Sequence, residues 1–248
     1  MKHVEFLVEE DSAEALLKGL LPKLLPAGVS FAIHPFQGKR DLLTKLPDRL
    51  RGYRQWLPAD WRLVVLVDED RQDCRALKQQ LDKAATDAGF TTKATAQHAG
   101  SFTILNRISI EELEAWFFGD VPALVALYPR VSPSLGSKEK YRDPDAIKGG
   151  TWEALERVLQ QARYYPSGLP KIEVARAMGD KMVPVRNTSK SFQVFCSGLL
   201  SLQPPSQNAW QVHPIPRPGP VSRKNSGQPS PPTASAQGAF EFSEPPPT

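Results

Sequence analysis

An unbroken apolar run, Leu63-Val64-Val65-Leu66-Val67, leads straight into Asp68-Glu69-Asp70. A short β-branched run bounded by charge reads as a strand buried on both faces. Such strands belong to parallel sheets covered by helices on either side. That placement also says where chemistry would sit, because in open parallel sheets ligands lie beyond the carboxyl ends of the strands. The D-x-D pair Asp68 and Asp70 stands at that edge. A second acidic cluster, Glu9-Glu10-Asp11, closes a first strand, Val4 to Val8, in the same way.

Between and after these strands the pattern alternates. Ser12 is a candidate N-cap, and Ala15, Leu16, Leu17, Leu20, Leu21 and Leu24 follow with helical spacing up to Pro26-Ala27-Gly28. Val29 to His34 reads as a second strand. A helix is expected from about Asp41 to Trp56, with Pro47 as a break or kink. Asp73 to Ala88 is a polar helix with Leu77, Leu81, Ala84 and Ala85 facing inward, closed by Gly89. Phe102 to Ile108 is a fourth strand. This β-α-β-α-β-α-β order predicts a parallel sheet with right-handed crossovers over residues 1–120.

Ile110 to Phe118 reads as a compact helix, with Leu113, Trp116 and Phe117 on one face and Glu111 and Glu114 on the other. Residues 121–202 are expected as a helical extension packed on the sheet domain, with helices at Thr151 to Ala162, Leu169 to Met182 and Ser191 to Leu200. Half of the chain's 24 prolines fall in residues 203–248. Such a stretch cannot bury enough apolar surface to offset its ordering entropy, so a disordered Pro/Ser-rich tail is expected.

Several function classes are disfavoured. There is no G-x-x-x-x-G-K-[ST], G-x-G-x-x-G or G-x-S-x-G, which argues against phosphate-loop, dinucleotide and serine-hydrolase chemistry. Cys74 and Cys196 have no C-x-x-C spacing, so they read as free thiols of a reducing cytoplasm. The charged start Met1-Lys2-His3-Val4-Glu5 is not a signal peptide, and no run reaches the roughly 18 apolar residues of a membrane span. A cytoplasmic protein is expected. The net charge of +4 is compatible with a nucleic-acid partner without requiring one.

Parallel topology puts the ends of strands one and three on one edge, so Glu9, Asp68 and Asp70 are expected to converge. Converging carboxylates repel unless protonated or bridged by a cation. Oxygen-only ligands favour a hard ion, Mg2+ or Mn2+. The competing reading makes these acids solvated caps of the helices from Ser12 and Asp73. Glu111 and Glu114 would join the same edge, or form a solvated helix start with Glu112. Among the histidines only His34, at the end of strand two, falls near the site. Lys39, Arg40, Lys138, Lys140, Arg142, Arg186 and Lys190 are candidates for phosphate contacts, with Tyr141 and Phe192 as stacking partners. The competing reading is that these are solvated loops.

Phe6-Leu7-Val8-Glu9 before a helix, Val65-Leu66-Val67-Asp68-Glu69-Asp70 and a later E-x-W segment resemble the Toprim domain of topoisomerases, bacterial primases, recombination proteins and the overcoming-lysogenization-defect nucleases. More closely, Phe6 to Ala15, Asn106 to Asp120 and Tyr141 to Ile147 resemble a bacterial Toprim-like family, domain of unknown function 4276. The resemblance spans Met1 to Leu202. It implies a Rossmann-like α/β fold, a parallel sheet flanked by helices, and a magnesium site. By that resemblance Glu9 is a general acid/base or ligand, Asp68 and Asp70 are metal ligands, and Glu114 matches the acid of the E-x-W segment. The chain departs from the pattern at Glu10, where many Toprim domains carry glycine.

The leading expectation is a magnesium-dependent nuclease acting on DNA or RNA, in a genome-maintenance or phage-defence system. The alternative is a catalytically degenerate Toprim-fold subunit that works with a partner ATPase. A receiver-type phosphorylation module ranks last, because no lysine ends a later strand.

Overall fold

Alternation along the strands sorts the core into two layers. The computed structural model describes residues 1–70, 72–98 and 101–202. The tail expected at 203–248 lies outside the described residues. Among those described, β1 (His3–Val8), β2 (Ser30–Pro35), β3 (Trp61–Asp68) and β4 (Ile104–Ser109) pair in parallel in the order β2-β1-β3-β4. Helices α1 (Asp11–Leu24), α2 (Lys39–Trp56) and α3 (Cys74–Asp87) make the crossovers. Val4, Phe6, Val8, Val64, Leu66 and Leu105 face one layer of helices, which includes α1. Leu7, Leu63, Val65, Val67 and Ile104 face the other, where Leu42, Leu46 and Leu50 of α2 and Leu77 and Leu81 of α3 cover them. Each such side chain contributes roughly 1.5–3 kcal/mol by leaving water.

The helices after the sheet are α4 (Ala115–Gly119), α5 (Val121–Leu127), α6 (Thr151–Gln161), α7 (Lys171–Lys181) and α8 (Lys190–Ser201). Their apolar residues, Trp116, Leu155, Met178, Phe192 and Phe195 among them, join the same core as α1. At the crossing of α1 and α7 a Cβ on Gly179 would overlap the backbone carbonyl of Leu16. The close approach of these two helices therefore depends on glycine.

Three local expectations are corrected. Glu10, not Ser12, occupies the N-cap position of α1, and the Ser12 hydroxyl donates to Glu10 Oε1 at 2.6 Å. Pro47 removes one amide donor without ending α2, which runs through it to Trp56. The helix expected from Ile110 begins only at Ala115. Glu111 has φ 59°, a left-handed conformation that no helix accommodates, so Glu111 and Glu114 do not share a helical face. No helix among the described residues is long and apolar enough to cross a membrane.

The strand order places a topological switch point between β1 and β3. From β1 the chain moves to one side through β2, then crosses back to β3 on the other. A crevice opens beyond the carboxyl ends of such a strand pair.

Candidate functional site

Glu9 follows β1 and Asp68 ends β3, one on each side of that crevice. The Asp68 amide donates to Glu9 Oε2 at 3.2 Å. Asp68 continues the Val64, Leu66 alternation and is only 8% exposed. Burial, followed by the charges of Glu9, Glu114 and Asp70, pushes its carboxyl well above the usual range, and Lys171 opposes this only in part. Glu9 is also raised, first by burial. The Asp68 amide and Lys39 pull it down, while Asp70 and Glu10 push it up. Solvated helix caps would show neither burial nor this mutual repulsion, so the cap reading fails for Asp68. It holds at Asp73, whose carboxylate accepts from the amides of Arg75 and Ala76 at the start of α3.

Glu114 is the most constrained acid of the group. It is fully buried, and neither carboxylate oxygen has a hydrogen-bond partner among the described residues. Burial raises its carboxyl to about 7, with Lys171 pulling the other way. The expectation of a solvated face is therefore overturned. Asp68 pairs in register with Ser109 on β4, and the Ser109 hydroxyl is likewise buried without a partner. Buried polar groups without a partner are rare in native proteins and are often explained by an ion, a water or a catalytic role.

Lys171 is a site residue that the motifs do not reveal. It opens α7, where a cation opposes the helix dipole. Its Nζ lies 2.5 Å from Glu10 Oε1 and over the Trp152 ring at 5.4 Å. Burial alone would lower its pKa, but Glu114, Glu10 and Asp68 together raise it. Lys171 and Ser12 also hold the Glu10 carboxyl below the usual range against the opposing effect of burial. The negative charge that Glu10 brings in place of glycine is thus neutralised within the fold.

On the other side, Lys39 Nζ bridges Asp70 Oδ2 at 2.8 Å and the Glu69 carbonyl at 2.9 Å. The loops after β3 and β4 are stitched together. The Asp70 amide donates to the Glu111 carbonyl at 2.9 Å, and the Glu111 amide to Glu69 Oε2 at 3.1 Å. Asp70 and Glu111 both have positive φ, 47° and 59°. Non-glycine residues held there cost of order 1–3 kcal/mol each and cluster at functional edges. Glu112 has a different task, accepting from Thr151 Oγ1 and the Trp152 amide at the start of α6.

Glu9, Asp70 and Glu114 therefore all lie within electrostatic reach of Asp68, and Glu111 joins the edge through its backbone bonds to Asp70 and Glu69. Among the described residues no three His, Cys, Asp or Glu side chains meet as a ready-made set of metal ligands. The donor chemistry nonetheless fits a hard divalent ion: carboxylates only, two of them raised by burial and then by neighbouring carboxylates, and one with both oxygens unclaimed among the described residues.

The other candidates are placed differently. His34 bonds to the buried Glu5 within the sheet, together with His3 and Tyr53, and not at the acidic edge. Tyr141 is buried and stacks on Phe118 with centroids 5.1 Å apart, and Phe192 packs edge-on to Trp116. Neither ring is free to stack on a base. Arg186 donates to the buried Asp120 at 2.6 Å. Arg40, Lys138, Lys140, Arg142 and Lys190 are exposed.

Residues 8–200 match the family described as domain of unknown function 4276. The chain belongs to that family. Membership agrees with the resemblance carried by Phe6 to Ala15, Asn106 to Asp120 and Tyr141 to Ile147, and the family's stretch contains every acid of the edge as well as Lys171. Among solved structures the chain is similar to the C-terminal region of the Burkholderia pseudomallei OLD protein. That similarity has 15% identity and a TM-score of 0.41, covering 79% of this chain and 98% of that one. No curated protein matches it.

Proposed function

We propose that this protein is a Mg2+- or Mn2+-dependent phosphodiesterase that cleaves nucleic acid, with its centre at the β1/β3 crevice. The observation that carries the reading is Glu114: a fully buried carboxylate with no hydrogen-bond partner for either oxygen among the described residues, in the field of Asp68 and Lys171. A buried carboxylate left alone is costly and calls for a proton or a cation. Glu9, Asp68, Asp70 and Glu114 would hold the ion, with Glu111 as a further ligand. When bound, it would supply Lewis acidity and lower the pKa of a coordinated water. Asp70 would first release Lys39, which is then free to meet a phosphate oxygen. Glu9, raised by burial, would be the group to accept a proton. Lys171 keeps a positive charge beside the reacting phosphate.

The test is metal-dependent nicking of plasmid DNA. Asp68→Asn should lower the rate by about a hundredfold or more, the scale of losing one electrostatic stabiliser, while the circular dichroism spectrum is preserved. An unchanged rate in a folded variant contradicts the reading.

A second reading has its own observation. Lys39 and Lys171 already neutralise Asp70 and Glu10, as in a site that has exchanged its metal for internal ion pairs. The chain would then be a regulatory subunit working with a partner ATPase. It would bind no divalent ion, cleave nothing alone and co-purify with that ATPase.

A further inference from the structure

We infer that a second surface, the cleft between the turn at Glu139–Tyr141 and helix α6, binds the phosphate backbone of a nucleic-acid strand. The cleft has a volume of about 630 Å³, within the range of ligand-binding sites. Lys138, Lys140, Lys148 and Arg157 line it against only two acids, Glu139 and Asp143.

What marks the cleft is a concavity with more cations than acids, several of them without an acidic partner among the described residues. On α1, α2 and α3 surface lysines are paired with an acid one turn away: Lys18 with Glu14, Lys45 with Asp41, Lys83 with Asp87. In the cleft, Lys138, Lys148 and Arg157 form no ion pair among the described residues. Arg157 has Glu153 at the ideal i, i+4 spacing. The Glu153 carboxylate instead folds back over Gly150, where a Cβ would overlap it. Asp143 is also engaged, accepting from the Asp145 amide at 3.2 Å. The concavity is left with unpaired cations over a floor formed in part by the buried Tyr141, Ile147 and Ala154. Unpaired cations converging on a groove match a chain of phosphates, and that binding is expected to be salt-dependent. The surface expected from the sequence thereby gains Lys148 and Arg157.

This inference rests on the phosphodiesterase reading for its biological sense, but its test is independent. Binding of a labelled single-stranded oligonucleotide would be followed by fluorescence anisotropy with chelator present, across a salt series. Three proteins would be compared: wild type, Lys148→Glu/Arg157→Glu, and Lys18→Glu/Lys83→Glu, which makes the same charge change on remote helices. Metal-dependent hydrolysis of bis(p-nitrophenyl) phosphate, too small to need the cleft, would be measured on the same samples. The cleft variant should bind at least tenfold more weakly, with a salt slope shallower by about 1.4, two phosphates at ~0.7 each. The remote variant should stay near wild type, and both should hydrolyse the small ester at the wild-type rate. Equal weakening in the two variants, or none in the cleft variant, overturns the inference. Loss of oligonucleotide binding in the cleft variant with no hydrolysis by any protein leaves the cleft in place and removes the enzyme reading instead.

Discussion

Glu114 should set the pH dependence of the metal-free fold. Its ordinary pKa is 4.5 and burial raises it to about 7 in the native state. The folded protein therefore holds a proton that the unfolded chain gives up across that interval. A raised acid contributes stability that is fully present below its unfolded pKa and is lost as pH rises through the folded value. Asp68, shifted in the same direction, acts with the same sign. With chelator present, denaturant midpoints should fall from about pH 4.5 through about 7 more steeply in wild type than in Glu114→Gln, which keeps the shape but carries no titrating proton. Parallel pH profiles would mean that Glu114 does not titrate in this range. Asp68 was legible as a site residue because D-x-D follows an apolar run. The burial of Glu114 was not. The I-E-E-L-E spacing satisfied a helical pattern, and only the left-handed Glu111 breaks it. Lys171 had no readable signal beyond a cation in the first turn of an expected helix, because its partners come from distant stretches of the chain.

Among the elements, α1 and α7 are held at a separation that only glycine permits. Gly179→Ala places a methyl group against the Leu16 carbonyl, and at Gly19 a Cβ would meet the backbone of Gly179 and Asp180. Overpacking of this kind costs about 1–3 kcal/mol. A lower denaturation midpoint with an unchanged m-value is expected for Gly179→Ala, and wild-type stability would show that the helices separate freely. Lys171 opens α7 and Glu10 precedes α1, so the same crossing also fixes the Lys171–Glu10 pair. The elements themselves were largely readable, since period-2 and period-3.6 apolar patterns report which face is buried. Their ends were less so. The start of α2 at Lys39 follows from Gly38 at φ 92°, and the continuation past Pro47 from the packing of Leu46 and Leu50, neither of which is a local signal.

On the scale of the whole molecule, the candidate centre is assembled from four separated stretches: the loop after β1, the end of β3, the turn after β4 and the start of α7. The sheet order brings the first two together at the switch point, and the shared core of α1 with the later helices brings the last. Sequence patterns predicted the parallel sheet and its acidic edge. They did not predict strand order, which decides that Glu9 and Asp68 are neighbours, because order depends on long-range packing. They also mistook Tyr141 and Phe192 for exposed rings, since aromatic residues beside a basic loop look alike whether they face solvent or core.

The acidic edge beyond β1 and β3 is proposed as a divalent-cation site. Calorimetric titration of Mn2+ into wild type and Asp68→Asn at several pH values tests it most directly. Ligands with raised pKa values must lose protons to bind, so the expected result is one site that tightens as pH rises through about 7, releases protons on binding, and is lost in Asp68→Asn. No binding in wild type, or binding unchanged by Asp68→Asn, would contradict it and leave Lys39 and Lys171 as the permanent counter-charges of the edge.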